Sequence, residues 1–153
     1  MVLTNQNLLP LPTSKTRLML KITLPIYWTD VKKTKPSTTH LVGENFFRNA
    51  HYHVKNKLKK DYHELVAEQL KGQPIETLSQ FTVKYTLYYK NPSSDPSNIV
   101  SKIEKFTLDA LQELDVLKED NVLHHLGSSF VISGCDKQSP RVEVEIFPVE
   151  VKE

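Results

Sequence analysis

The chain is poor in the residues that form several common kinds of functional site. It has only four glycines in 153 residues, and neither glycine-rich phosphate-binding pattern, GxxxxGK[ST] or GxGxxG, occurs in it. Cys135 is the single cysteine, which excludes an intramolecular disulfide and a CxxC zinc site. A phosphate-binding function would therefore have to use side chains rather than a glycine-rich loop.

Long apolar runs are also missing. No stretch approaches the roughly 18 apolar residues that a membrane-spanning helix requires. Residues 1–14 contain no basic residue before their short apolar patch, which is a poor match to a secretory signal peptide. Together with the single cysteine, these features predict a cytoplasmic protein with no membrane partner.

The overall composition is that of a folded domain. Apolar residues make up 39% of the chain and charged residues 25%, and 153 residues are enough to enclose one hydrophobic core. Pro10 and Pro12 disfavour regular structure near the start of the chain. We therefore expect a flexible arm over residues 1–14 and a single domain over residues 15–153.

Hydrophobic periodicity predicts six elements in the order β-α-β-α-β-β. The two predicted helices begin near Glu44 and Asp95, and the alternating run 81–89 between them is typical of a half-buried strand. The last two strands, 124–134 and 141–149, are predicted to form a hairpin, and the first strand covers 17–26. The order favours an α+β fold with two main helices packed on one face of a small mixed sheet.

Charge is unevenly distributed along the chain. Residues 1–75 contain 12 Lys/Arg against 5 Asp/Glu, a balance of +7, whereas residues 76–153 contain 8 against 13, a balance of −5. Such a division suits a phosphate-binding half and a cation-binding half, and a solvated surface is the open alternative. The candidate phosphate-contacting residues are Lys32, Lys33, Lys35, Arg48, Lys55, Lys59 and Lys102.

The segment from Asp95 to Asp120 contains the candidate chemistry. Asp95 followed by Pro96 is a strong helix start, with aspartate at the N-cap and proline at the first helical position. Beyond it, one polar stripe recurs at spacings of four, three and four residues, which places its members within about 60° of one another around a helix. This stripe consists of Asn98, Lys102, Lys105 and Asp109.

Asp95 and Asp120 form a candidate metal site if the chain after the helix folds back. Two carboxylates can hold one Mg²⁺ and leave positions for waters and a phosphate oxygen. The metal would activate a water for phosphodiester hydrolysis, and Lys105 would stabilise the developing charge. The alternatives are structural: Asp95 as a helix cap, Lys105 as a surface lysine and Asp120-Asn121 as a turn.

These residues resemble the motif of the RusA-like Holliday junction resolvases, a family typical of phages and prophages. The matching residues are Asp95-Pro-Ser-Asn98, Lys105-Phe-Thr-Leu-Asp109-Ala-Leu111 and Glu119-Asp120. Weaker similarity extends to residues 22–25 and 141–146, and the resemblance covers most of the chain beyond the arm.

The resemblance implies a homodimer that binds four-way DNA junctions and makes paired nicks with Mg²⁺, for which Mn²⁺ substitutes. It carries over Asp95 and Asp120 as the acidic catalytic residues and Lys105 as the essential lysine. Asn98 is a further candidate metal ligand beside them. It also implies a phage- or prophage-encoded protein that acts in a bacterial host.

The chain departs from the family pattern at two places. Ser97 stands where the family usually has a second aspartate, and Lys105 follows Asn98 by seven residues where better known members have three. The extra four residues are about one helical turn. Two alternatives therefore stay open: a branched-DNA-binding relative with weak or no cleavage, and a structural or adaptor protein with no nucleic-acid role.

Overall fold

The structure, a computed structural model, describes residues 18–149. The predicted arm over residues 1–14 lies outside the described residues. Along the chain the elements are β1 (Leu20–Pro25), β2 (Tyr27–Asp30), β3 (Thr38–Leu41), α1 (Glu44–Asn49), α2 (Tyr52–Leu70), β4 (Phe81–Tyr89), α3 (Pro96–Glu113), β5 (His125–Cys135) and β6 (Arg141–Pro148).

The predicted α+β class with a small mixed sheet is confirmed. Four strands form the main sheet in the order β1-β6-β4-β5, in which only β4 and β5 run parallel. Helix α3 is the crossover between these two parallel strands, and β2 pairs with β3 in a separate two-stranded sheet. Two of the helices are long, namely α2 and α3.

One hydrophobic core lies between the main sheet and the helices. Neighbouring strands align Ile22 of β1 with Val144 of β6 and Tyr85 of β4, and all three side chains are almost fully buried. Against this face α2 contributes Leu58, Tyr62 and Val66, and α3 contributes Ile99, Ile103, Phe106, Ala110 and Leu111. Each helix therefore buries one stripe at three- and four-residue spacing, as its periodicity predicts.

The predicted terminal hairpin is wrong. Strand β6 lies between β1 and β4, so β4 separates it from β5. The burial patterns explain this arrangement: β6 buries Val142, Val144 and Ile146, as a strand with a neighbour on each side does, whereas β5 is mostly exposed. Sequence proximity favoured a β5–β6 pair, but β6 took the interior position in the sheet, between β1 and β4, and β5 took the edge.

The first predicted helix is divided into two. A break at Ala50 and His51 separates α1 from α2, and the His51 side chain accepts a hydrogen bond from the backbone N–H of His53. The polar stretch between the first predicted strand and this helix contains the β2–β3 hairpin. The indole N–H of Trp28 in that hairpin donates to Asp61 of α2 at 2.8 Å, which fixes the hairpin against the helix.

Candidate functional site

Asp95 caps the N-terminus of α3. Its Oδ1 accepts hydrogen bonds from the backbone N–H groups of Ser97 at 3.0 Å and Asn98 at 3.4 Å, and Pro96 begins the helix. These bonds satisfy amide groups that have no partner inside the helix. The Asp95 carboxylate is nevertheless exposed, so capping leaves one side of it open to solvent.

Lys105 and Asp109 lie one turn apart on the outer side of α3. The Lys105 ammonium is 3.7 Å from Asp109 Oδ2, and both side chains are well exposed, at 61% and 43%. An exposed pair of this kind stabilises a helix by only about 0.3–0.5 kcal/mol. Lys105 is therefore accessible to a ligand.

Asp120 lies at the other end of the helix from Asp95. Helix α3 ends at Glu113, and the chain then turns at Asp115, which has a φ of 61°, before Leu117 forms an isolated bridge with Leu78. The bridge leads the chain to the start of β4, where Phe81 N–H donates to the carbonyl of His124.

The crossover geometry separates the two predicted carboxylates. A helix between parallel strands runs back along the sheet, so its two ends lie near opposite ends of those strands. The 18 residues of α3 span about 27 Å at 1.5 Å per residue. The segment after α3 does not fold back onto Asp95, and one chain therefore does not bring Asp95 and Asp120 onto a shared cation.

Among residues 18–149 there is no group of three or more His, Cys, Asp or Glu side chains arranged to hold a metal ion. At the Asp95 end, Ser97 contributes a neutral hydroxyl rather than a second carboxylate. Residues 18–149 of one chain therefore do not by themselves assemble a group of three such ligands around the Mg²⁺ that the resolvase resemblance implies.

Three predicted basic residues do converge, and the place where they meet is Phe47 at the end of α1. The ammonium groups of Lys55, Lys59 and Lys102 lie 5.0, 5.6 and 4.0 Å from the centre of its ring. Lys55 and Lys59 belong to α2 and Lys102 to α3, so two helices direct positive charge to one position. We call Phe47 and these three lysines the lysine cluster.

One carboxylate partly neutralises the lysine cluster. Glu44 at the start of α1 lies 3.6 Å from the Lys102 ammonium and accepts a hydrogen bond from Ser101 Oγ at 3.1 Å. Only 12% of the Lys102 side chain is exposed, so this lysine also has a structural role. Lys55 and Lys59 have no carboxylate partner among the ion pairs of residues 18–149, which leaves net positive charge at the cluster.

The other predicted basic residues lie apart from the cluster. Lys32, Lys33 and Lys35 are exposed in the loop between β2 and β3. This hairpin contacts α2 through the ion pair between Asp30 and Lys57. Lys57 is about 200° around the helix from both Lys55 and Lys59, so the hairpin lies on the side of α2 away from the lysine cluster. Arg48 is exposed on α1, next to Phe47.

An open groove of about 500 Å³ runs between α2 and α3 beside the lysine cluster. Phe106 and Ala110 supply its apolar lining, and the rest is charged or polar: Lys59, Lys60, His63, Glu64, Asp109 and Glu113. His63 Nε2 lies 3.0 Å from the Glu113 carboxylate and joins the two helices across the groove.

Sequence reasoning missed Phe47, Glu44 and His63. The signal for Phe47 was an aromatic pair directly before Arg48 in a basic region. Glu44 and His63 act across helix–helix contacts, which no spacing within one helix reveals.

Sequence comparisons add no family to this description. No protein-family model matches the chain. A search of the curated proteins finds no significant match either. In the part of the chain that the structure describes, no helix is long and apolar enough to cross a membrane.

Proposed function

We propose that this chain binds branched DNA of the four-way-junction type, as a RusA-like resolvase does, and that the lysine cluster contacts the phosphate backbone. The observation that carries the proposal is the convergence of Lys55, Lys59 and Lys102 on Phe47. Lysine side chains supply most of the affinity for nucleic acid because they displace counterions from phosphates. A binding role of this kind acts on backbone geometry rather than base sequence.

The position of the cluster supports the same proposal. Lys102 lies one turn after Asn98 on α3, so the cluster adjoins the end of the helix that matches the resolvase motif. The exposed Lys105 follows along the same helix. The loop with Lys32, Lys33 and Lys35 offers a second basic surface across α2, suited to another arm of a junction.

Cleavage of the junction with Mg²⁺ or Mn²⁺ is the second candidate. The motif residues Asp95, Asn98, Lys105 and Asp120 favour it. Because Asp95 and Asp120 lie at opposite ends of α3, a cation shared by them requires carboxylates from two chains, in keeping with the dimer that the resemblance implies. Action in the cytoplasm of a bacterial host, as a phage- or prophage-encoded protein, belongs to the same proposal.

One experiment tests both candidates. The full chain is incubated with a labelled four-way junction at low salt, with and without Mg²⁺ or Mn²⁺, and with linear duplex as competitor. Binding is measured by gel shift and nicking on a denaturing gel. Asp95→Asn and Asp120→Asn are the matched variants, since asparagine still caps a helix and removes only the charge.

The outcomes separate the three functions. Tight junction binding with paired nicks that both variants abolish supports the endonuclease. Tight binding without nicks supports a binding protein that does not cut. No preference for the junction over linear duplex at low salt would refute the proposal and favour a structural or adaptor role.

A further inference from the structure

Strand β5 forms one edge of the main sheet and leaves that edge open. Its 11 residues pair in parallel with β4 on one side, and no strand among residues 18–149 pairs with its other side. An open edge presents a row of backbone N–H and C=O groups that another strand can bind. Most of the β5 side chains are exposed as well.

The middle of this edge is apolar. Phe130, Val131 and Ile132 are 41%, 47% and 51% exposed, which is unusual for three consecutive large apolar residues in a strand. No aspartate, glutamate, lysine, arginine or proline occurs from Leu126 to Cys135. The strand thus lacks the charges and prolines with which natural sheets protect an open edge.

The opposite edge of the same sheet is protected by all of these means. Strand β1 contains Lys21 and Pro25. The Gln69 amide also covers the edge, because its Oε1 accepts from Thr23 N–H at 2.8 Å and its Nε2 donates to the Thr23 carbonyl at 2.8 Å. Among the described residues, the two edges of the sheet therefore differ: β1 is protected and β5 is not.

We propose that β5 pairs antiparallel with β5 of a second copy of this chain, across a two-fold axis at Val131. The two four-stranded sheets then form one continuous eight-stranded sheet. The proposal stands on β5 alone, and neither DNA binding nor cleavage is needed for it.

Self-complementarity identifies the partner as a second copy. Side chains alternate between the two faces of a strand, so a two-fold pairing within a continuous sheet must centre on a residue rather than between two residues. Centring on Val131 pairs Phe130 with Ile132 and Ser129 with Ser133 of the other chain. Centring on Phe130 or on Ile132 instead pairs apolar residues with serine or glycine.

The absence of charge allows this pairing. In a two-fold interface every residue near the axis meets itself or a close neighbour, so a charged residue there would face its own like charge. Residues 126–135 contain none. The apolar centre is then covered by the apolar centre of the other copy, with serines on both sides.

Cysteine cross-linking tests the interface and its register together. In the full chain with Cys135→Ser, Val131→Cys places one thiol from each copy about 4.5–5.5 Å apart at Cβ, which suits a disulfide. Ser129→Cys is the matched control on the same face, and its two thiols lie about 13 Å apart along antiparallel strands. Under mild oxidation we expect a covalent dimer from Val131→Cys and little from Ser129→Cys.

Sedimentation equilibrium supplies the second measurement. We expect the wild-type chain to have twice the mass of the 17.6 kDa protomer and Val131→Lys to have the protomer mass. Circular dichroism confirms that the exposed substitution leaves the fold intact.

Three results would overturn the proposal. One is a wild-type monomer at 100 µM, which includes the case where another segment of the same chain covers β5. Another is a dimer that persists in folded Val131→Lys, and the third is equal cross-linking at positions 129 and 131. Junction binding by a monomeric Val131→Lys protein would leave the proposed function standing, so the two proposals can fail separately.

Discussion

Removal of two lysines from the lysine cluster should weaken the salt dependence of DNA binding by a calculable amount. Lys55→Gln/Lys59→Gln deletes the two cluster lysines without a carboxylate partner and keeps Lys102, which also binds Glu44. Each lysine–phosphate contact contributes about 0.9 to the slope of log affinity against log salt concentration. Two lost contacts therefore lower the magnitude of the slope by about 1.8.

This difference is large enough to measure. From 50 to 200 mM salt, a fourfold increase, a slope difference of 1.8 corresponds to a factor of about 12 in affinity. The wild-type chain should therefore lose about 12 times more affinity for a four-way junction than the double variant loses over this range. Fluorescence anisotropy with a labelled junction at several salt concentrations gives both slopes.

The experiment needs one control for folding and one for total charge. Each exposed cation–π contact contributes about 0.5–1 kcal/mol, and relief of repulsion between neighbouring ammonium groups offsets part of that loss. Thermal melts should therefore show a small change in stability.

Lys21→Gln/Lys137→Gln removes the same charge far from the cluster, from the sheet face opposite the helices and from the β5–β6 loop. An unchanged slope in the cluster variant, or an equal drop in this control, would refute the assignment.

The remaining predictions concern stability. Tyr62→Phe should destabilise the chain by about 1–3 kcal/mol, because the buried Tyr62 hydroxyl donates to the Pro25 carbonyl and its loss leaves that oxygen unpaired. Tyr85→Phe should be neutral or stabilising in the same urea titration, since the buried Tyr85 hydroxyl has no hydrogen-bond partner of normal geometry; a loss above 1 kcal/mol would contradict this.

Burial raises the pKa of both tyrosines, and the nearby Glu104 carboxylate raises the pKa of Tyr85 further, so the folded chain retains protons that the unfolded chain releases. The contribution of these two tyrosines to the free energy of unfolding should therefore be fully present below about pH 10 and be lost as the pH rises above it. The loss should be less steep in the double variant Tyr62→Phe/Tyr85→Phe. Asp95→Ala should cost about 0.5–2 kcal/mol by loss of the cap while Asp95→Asn stays near wild type, and equal costs would show that charge rather than capping matters.

Helix α3 was the most predictable part of the fold. Its start depends on Asp95, which accepts from amides two and three residues away, and on Pro96 at the first helical position, and its buried stripe follows from helical periodicity alone. The alternation in β4 was equally informative, because Phe81, Val83, Tyr85 and Leu87 all lie in the core. Signals of this kind act within a few residues, so they can be interpreted without knowledge of the rest of the chain.

The candidate site was less predictable because it depends on how elements are arranged. Asp95 and Asp120 were paired on the basis of motif order, and the crossover path of α3 separates them by the length of the helix. Phe47 was not predicted as a site residue, although lysines from two helices lie over its ring. One of them, Lys102, is more than 50 positions further along the chain. Contacts between distant residues leave no periodic pattern in either segment.

The sequence by itself determined the α+β class, the elements β4, α3 and β6, and the basic character of the first half of the chain. Only the tertiary structure decided that β6 enters the sheet between β1 and β4 and that β5 is left at the edge. The physical reason is that strand order is set by competition among strands for burial on both sides. That competition depends on every strand at once, whereas caps and amphipathic stripes depend on their own neighbours.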